Sequence, residues 1–183
     1  MRRISLLGIP GSLRAGSAHG AILRTIAEEL LPTNTEMVVQ ELHDIPLYNE
    51  DLDGEQVPLA VAALRQAVAA ADALVLGSPE YNHGMSGVLK NSLDWLSRPH
   101  GQSVLRGKPV LTFTASPAFT GGVRAQQQLN ETLWAIPAAV LPHPQIVIGN
   151  VGTRLVEGRL VDEPVRAFLR TALAQLRETI LQI

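Results

Sequence analysis

The sequence contains no cysteine among its 183 residues. Disulfide bonds, thiolate catalysis, cysteine-ligated zinc and iron–sulfur clusters are therefore excluded. The five histidines show neither a pair spaced four residues apart nor an H-E-x-x-H motif, so we expect no metal site. A chain without cysteine suits a reducing compartment, and we expect this protein in the cytoplasm.

A strong charge of either sign is also lacking. The formal net charge is −2 at pH 7, which argues against nucleic acid or an anionic membrane as the main partner. No stretch approaches the roughly 20 consecutive apolar residues of a membrane span. The apolar run that follows Arg2 and Arg3 is interrupted at Pro10 and is too short for a signal peptide.

Short apolar runs alternate with longer stretches of helical periodicity. The strand-like runs are 4–9, 36–41, 73–77, 110–115 and 145–148, and the helical stretches are 18–31, 57–71, 86–96, 123–140 and 163–182. The strands are apolar along nearly their whole length, which is typical of strands buried on both faces of a parallel sheet. The pattern predicts a single domain over residues 1–183. We expect a three-layer α/β fold with a doubly wound, parallel, five-stranded sheet.

Ligands of such sheets bind at the carboxyl ends of the strands, so the loops after the first, third and fourth strands are candidates. The first loop, 11–19, reads G-S-L-R-A-G-S-A-H. Its glycines permit close approach of the backbone, Arg14 adds a cation, and the following helix directs free N–H groups at the loop. These features favour phosphate binding. An ordinary helix start with Ser17 as its N-cap is the alternative.

The other two loops suit a planar ring. Segment 78–87 contains Pro79, which stiffens the backbone, Tyr81, which supplies a flat face, and Asn82, which tolerates unusual backbone angles. Segment 116–122 ends in two glycines immediately before a predicted helix, which permits another close approach of the backbone. A solvated loop and a flexible connection are the respective alternatives.

Several motifs in this chain resemble the NADPH-dependent FMN reductase family, which includes quinone, chromate and azo-dye reductases. They are G-S-L-R at 11–14 with Ser17, P-E-Y-N at 79–82 and G-V-L-K-N-S-L-D-W-L-S-R-P at 87–99, with weaker matches at 45–52 and 121–126. The resemblance covers about residues 4–148. It implies a flavodoxin-like fold with strand order 2-1-3-4-5 and FMN at the switch point.

The resemblance also implies which residues hold FMN. The first loop is expected at the phosphate, the second along the isoalloxazine ring, and the third at the other side of the site. The expected cofactor-binding residues are Gly11, Ser12, Leu13, Arg14, Ser17, Ala18 and His19, then Pro79, Glu80, Tyr81 and Asn82, and then Ser116, Gly121 and Gly122. No side chain is expected to act as a general acid or nucleophile, because the flavin carries the redox chemistry.

The family further implies an oxidoreductase that takes electrons from NADPH or NADH and reduces quinones, or other small acceptors such as chromate or azo compounds. Donor and acceptor are expected to use one flavin face in turn, which is a ping-pong reaction. Assembly as a homodimer or homotetramer is implied as well. The alternative is a flavodoxin-type electron carrier. Such carriers are strongly acidic and clamp the flavin between aromatic rings, whereas these loops offer only Tyr81 and Phe119 in a chain of nearly balanced charge.

Overall fold

The computed structural model describes residues 2–183 of the chain. Its α-helices are α1 (Ala18–Thr25), α2 (Leu59–Ala70), α3 (Gly87–Leu96), α4 (Val123–Ala135) and α5 (Glu163–Leu181). Its strands are β1 (Ile4–Pro10), β2 (Thr35–Val39), β3 (Ala73–Ser78), β4 (Glu80–Tyr81), β5 (Gly84–Met85), β6 (Pro109–Ala115), β7 (Ala139–Val140), β8 (Ile146–Ile148), β9 (Leu155–Val156) and β10 (Arg159–Leu160).

The central sheet has the order β2-β1-β3-β6, and β7 and β8 both pair with the far edge of β6. Every pairing in this sheet is parallel. β7 lies beside the start of β6 and β8 beside its end, so the two short strands share the fifth position. Pro142 and Pro144 stand between them, and proline cannot donate the N–H that a continuous strand needs. The predicted strand order 2-1-3-4-5 and the doubly wound α/β fold are confirmed.

The two faces of the sheet are covered by different helices. Alternate residues of β3 point to opposite faces, because the side-chain period of a strand is two. Val75 belongs to a core cluster that includes Leu23 of α1 and Leu173 of α5. Leu74 belongs to a second cluster that includes Leu129 of α4 together with residues of α2 and α3. The result is three layers, with the carboxyl ends of the parallel strands meeting at one edge of the sheet.

Two predicted helices end earlier than their periodicity indicates. The stretch 123–140 is helical only to Ala135, because Pro137 lacks the N–H that would continue the helix, and Ala139–Val140 joins the sheet instead. The stretch 18–31 is α-helical to Thr25 and closes with a π-helical turn at Ile26–Leu30. The hairpins β4–β5 and β9–β10 have no counterpart in the sequence prediction. Across residues 2–183, none of the helices is long and apolar enough to cross a bilayer.

Candidate cofactor site

A cavity of about 320 Å³ opens at the carboxyl edge of the sheet, where the ends of β1, β3 and β6 meet. The chain winds outward in opposite directions from β1 and β3, so this is the topological switch point. The residues that line the cavity are Ser12, Arg14, Gly16, Ser17, Ala18, His19, Pro79, Glu80, Tyr81, Ala115, Ser116, Pro117, Val151, Gly152 and Leu155. The three loops selected from the sequence therefore meet in one site.

The first loop contributes a cluster of hydrogen-bond donors. Ser17 is the N-cap of α1, and its Oγ accepts a hydrogen bond from the N–H of Gly20 at 3.3 Å. Ser12 is buried, and its Oγ accepts from the N–H of Arg14 at 3.4 Å. Both hydroxyl protons stay available, as do N–H groups of the first helical turn. Ser17 can thus cap α1 while the loop still offers donors to a phosphate, so the two interpretations of this loop are compatible.

The cation of this loop has no internal counter-charge. No carboxylate in the described part of the chain forms a salt bridge with Arg14, although ten salt-bridge contacts link other residues. The Arg14 side chain is exposed and lines the cavity. An unpaired guanidinium beside serine hydroxyls and a helix N-terminus makes this end of the cavity suited to a phosphate.

Two expected residues of the first loop lie outside the cavity lining. Gly11 donates its N–H to the carbonyl of Gly77 at 2.7 Å, and a Cβ at Gly11 would lie 2.9 Å from that same oxygen. Leu13 points to solvent, and its carbonyl oxygen lies 3.0 Å from Nε2 of His43. Gly11 therefore supports the loop by its close packing, and Leu13 ties it to the segment after β2.

His19 is a buried residue of the cavity lining and holds two strand ends together. Its Nε2 accepts a hydrogen bond from the N–H of Ala115 at 3.2 Å, and its ring stacks 5.8 Å from the ring of Phe113. Burial lowers the pKa of His19 to about 4, and a hydrogen bond with the backbone of Ser78 offsets part of that shift. The imidazole is therefore neutral at neutral pH and joins the start of α1 to the ends of β3 and β6.

The second loop is a two-residue hairpin turn between β4 and β5. Asn82 and His83 occupy the turn with φ of 50° and 70°, which is the geometry of a type I′ turn. Tyr81 lies at the cavity and is half-exposed, whereas Asn82 is exposed outside the lining. Asn tolerates positive φ better than most residues, so its structural role at the turn accounts for its presence there.

Glu80 fastens this hairpin to α4. Its Oε2 accepts hydrogen bonds from the N–H groups of Arg124 at 3.0 Å and Ala125 at 3.1 Å. The N-cap residue of α4 is Gly122, which has no side chain to do this. On the other strand of the hairpin, Oε1 of Gln128 accepts from the N–H of Met85 at 2.7 Å. Both strands of the Tyr81 hairpin are thus held by the first turns of α4.

Gly121 packs closely on the backbone of β8 and Gly122 packs near Glu80, and neither glycine lines the cavity. A Cβ at Gly121 would lie 2.8 Å from the backbone of Val147, and both glycines have positive φ. A Cβ at Gly122 would lie 3.4 Å from Cβ of Glu80. The third loop reaches the cavity through Ser116, whose N–H donates to the carbonyl of Ile148 at 3.0 Å.

The motif at 87–99 lies outside the cavity lining and fixes a different loop. Asn91 accepts from the N–H of Tyr48 at 2.7 Å and donates to the carbonyl of Pro46 at 2.8 Å. The indole N–H of Trp95 donates to the same carbonyl at 2.8 Å. The two motif side chains therefore fix the 46–48 loop and leave Leu47 in solvent.

One wall of the cavity has no counterpart in the expected site. Val151, Gly152 and Leu155 follow β8 and line the cavity beside Ser116 and the first loop. The rule that ligands bind at the carboxyl ends of parallel strands applies to these residues as well, because β8 ends at the same edge of the sheet as β6. The sequence offers the glycines and asparagine of 149–152 as the only local signal of this turn.

Comparisons with known proteins find FMN reductases, quinone reductases and a flavoenzyme NAD(P)H:acceptor oxidoreductase. A profile of the NADPH-dependent FMN reductase family matches residues 4–153. The chain is 39% identical over 175 residues to an NAD(P)H-dependent FMN reductase of Pseudomonas aeruginosa, covering 95% of this chain and 94% of that protein. It is 34% identical over 185 residues to a quinone reductase of Escherichia coli strain K12, covering 99% and 97%. A solved flavoenzyme NAD(P)H:acceptor oxidoreductase from Paracoccus denitrificans superposes with a TM-score of 0.79 at 27% identity, covering 96% and 98%.

Proposed function

The chain belongs to the NADPH-dependent FMN reductase family, and we propose that it passes electrons from NAD(P)H through bound FMN to quinone-type acceptors. The observation that carries this proposal is the cavity at the switch point, which brings Arg14 and the start of α1 together with the Pro79–Tyr81 segment. The relative in Escherichia coli is named a quinone reductase, which supports the choice of acceptor.

The phosphate of FMN fits the donors of the first loop. The hydroxyls of Ser12 and Ser17 and the first-turn N–H groups of α1 supply neutral donors. Arg14 supplies a cation that forms no salt bridge with the described residues. A phosphate there is also stabilised by the positive end of the helix dipole. We assign His19 to positioning this loop, because the backbone of Ala115 already occupies its Nε2.

The ring of FMN fits the other end of the cavity, along Pro79, Glu80 and Tyr81 and across from Ser116. When bound, FMN supplies a redox centre that accepts hydride from NAD(P)H and reduces the quinone. The protein's contribution is to orient the ring and leave one face open. Tyr81 is the one Tyr, Phe or Trp that lines the cavity in the described chain, because Phe119 lies in solvent outside it. An open face favours a reductase over an electron carrier that stacks aromatic rings on both sides.

The proposed activity concerns the chain as a whole, its location and its range of acceptors. We propose that residues 1–183 act as one FMN-binding unit, because both core clusters pack on a single sheet. We place the protein in the cytoplasm, where NAD(P)H is available, and extend the acceptors to chromate and azo compounds, which small flavin reductases take.

We also propose that the protein is a homodimer or homotetramer. Trp134 on α4 and Leu47 on the 46–48 loop are large apolar side chains with 61% and 83% exposure. Tyr48 is less exposed than these two side chains, because its ring packs 5.0 Å from that of Trp95 and its hydroxyl accepts from Arg98. Light scattering at micromolar concentration should give a mass at least twice that of the 19.7 kDa chain. A monomer would refute the proposal.

The proposed activity is tested by mixing FMN-loaded protein with NADPH or NADH and benzoquinone and following the loss of nicotinamide absorbance. We expect oxidation that depends on both protein and benzoquinone. The same assay with FMN-free protein is the control, and it should be slow until FMN is added. Oxidation at the rate of free FMN alone would reject the enzyme.

A further inference from the structure

The wall of the cavity that follows β8 is built differently from the other three. It consists of the 150–160 segment, which contains a turn of 3-10 helix at Val151–Thr153 and the hairpin β9–β10. Val151, Gly152 and Leu155 present this segment to the cavity. The hairpin is short, with two residue pairs, and it reverses at Glu157 and Gly158, both with positive φ. Two pairs are too few to hold a hairpin without outside contacts.

The outside contacts come from the last residue of α1 and from the π-helical turn that follows it. Nη1 of Arg159 lies 2.5 Å from Oε1 of Glu29, and Nη2 of Arg159 lies 2.9 Å from Oε2 of Glu28. The N–H of Leu160 donates to Oγ1 of Thr25 at 3.0 Å. The segment is thus attached to the far end of the helix whose first turn forms the phosphate loop.

A second arginine completes the attachment. Nη2 of Arg166, in α5, lies 2.9 Å from Oε2 of Glu29, and its Nη1 donates to the carbonyl of Leu160 at 2.9 Å. Glu29 therefore receives one arginine on each carboxylate oxygen. These hydrogen bonds, that of Arg166 first, lower the pKa of Glu29, so the carboxylate is charged at neutral pH.

The end of the segment nearest the sheet is held separately. Nε of Arg154 donates to the carbonyl of Gly149 at 2.8 Å, and its Nη1 pairs with Asp162 at 2.7 Å. Leu155 lies between this contact and the one at Glu29. The position of Leu155 in the cavity wall therefore depends on the contacts of Arg154 and on those at Glu29.

We propose that the 150–160 segment is the retaining wall of the FMN site and that Glu29, through Arg159 and Arg166, sets how slowly FMN leaves. This inference rests on the proposed function. Glu29 does not line the cavity, so it acts as a positioning residue and not as a ligand of the cofactor. Loss of its charge weakens the attachment of the hairpin, while the Arg159–Glu28 contact and the buried Leu160 remain, so the wall loosens without the fold being lost.

The test is the rate at which FMN and riboflavin leave the protein, measured by the recovery of flavin fluorescence after dilution. Glu29→Gln should release both ligands faster by the same factor, roughly three- to tenfold, because a wall that encloses the ligand is indifferent to its phosphate. Arg159→Met should give a comparable acceleration, since it removes the contacts of the hairpin with both Glu28 and Glu29. The double variant should accelerate release by less than the product of the two single factors, because both changes break the Arg159–Glu29 contact.

Glu36→Gln is the matched control. Glu36 forms a salt bridge with Arg3 away from the cavity, so its loss should leave both release rates unchanged. Unchanged release from the two single variants at Glu29 and Arg159, or equal acceleration by Glu36→Gln, would overturn the proposal. Acceleration for FMN alone would also overturn it, because it would mean a disturbed phosphate loop. If Glu29→Gln does not fold, the exposed Arg159→Met variant decides by the same criterion. A wild-type protein that binds neither flavin would overturn the proposed function and this inference with it.

Discussion

The carboxylate of Glu80 accepts the backbone N–H of Arg124 at 3.0 Å, and through this contact a loop at the end of β3 caps a helix that begins after β6. The N-cap residue of this helix, Gly122, has no side chain to accept its first N–H groups, and Glu80 accepts two of them. The same contact fixes the hairpin that carries Tyr81. Glu80 thus connects the stability of α4 to the shape of the cofactor cavity.

Replacing Glu80 should therefore affect both properties. Glu80→Ala is expected to lower the free energy of unfolding by about 1 kcal/mol, the usual cost of losing an N-cap. Glu80→Gln should cost less, because its amide oxygen still accepts. Urea unfolding of the FMN-free protein measures both. Glu131→Ala, on the exposed surface of the same helix, should change little. Equal losses for Glu80→Ala and Glu131→Ala would show that the cap contributes nothing.

The phosphate loop is tested at Arg14. A hydrogen bond to a charged group contributes about 1.5 kcal/mol at the low end, which suits this exposed side chain and corresponds to roughly tenfold in affinity. Arg14→Ala should weaken FMN binding by about that factor and leave riboflavin, which has no phosphate, unaffected. Fluorescence titration with the two ligands makes the comparison. Arg24→Ala, at the other end of α1, is the control. Equal losses for FMN and riboflavin would remove Arg14 from the phosphate site.

The lowered pKa of His19 predicts how the free energy of unfolding depends on pH. Its pKa falls from the ordinary 6.5 to about 4 on folding, so between these values the unfolded chain binds a proton that the folded protein does not. Stability from this group is complete above about pH 6.5 and falls by about 3 kcal/mol as the pH drops to 4. Unfolding of the wild type and His19→Asn should be compared at pH 7 and pH 4.

The His19→Asn comparison isolates the histidine from the carboxylates. Glu29 and Glu163 also have lowered pKa values, through their arginine partners, and they destabilise the wild type and the variant alike as the pH falls. The wild type should therefore lose stability more steeply than His19→Asn. Parallel losses in the two proteins would mean that His19 is protonated in the folded state or exposed to water.

Much of the fold and part of the site could be predicted from the sequence. Apolar runs such as β3 and β6 are buried on both faces, so composition identifies them as parallel strands, and the parallel rule then selects the loops at their carboxyl ends. The family prediction is confirmed by the match over residues 4–153. FMN contact by the individual residues stays a prediction.

The features of the site that could not be predicted depend on contacts between residues far apart in the sequence. Glu80 looks like a ring-lining residue in P-E-Y-N, but its carboxylate caps a helix more than 40 positions away, which no local pattern encodes. Leu155 lines the cavity on a segment whose Arg159 meets Glu29 across 130 positions. The early end of α4 could have been predicted from the sequence. Pro137 is a local signal for a helix end, but the prediction followed the helical periodicity of 123–140 instead.

The open flavin face that we propose predicts the order of the reaction. NAD(P)H and quinone cannot both stack on one face, and hydride transfer needs the reacting atoms roughly 3–3.5 Å apart. The donor must therefore leave before the acceptor enters, which gives parallel lines in double-reciprocal plots when both substrates are varied. Intersecting lines would show that the two substrates occupy the site together.

The most direct test of the account is the visible absorbance of the FMN-loaded protein under anaerobic conditions. We predict that NADPH or NADH alone bleaches the absorbance of oxidised flavin, and that benzoquinone added afterwards restores it. Arg14→Ala, loaded with FMN at a concentration that compensates for its weaker binding, should bleach as well. Flavin that stays yellow in the presence of excess NADPH and NADH would contradict the account and favour an electron carrier reduced by another protein.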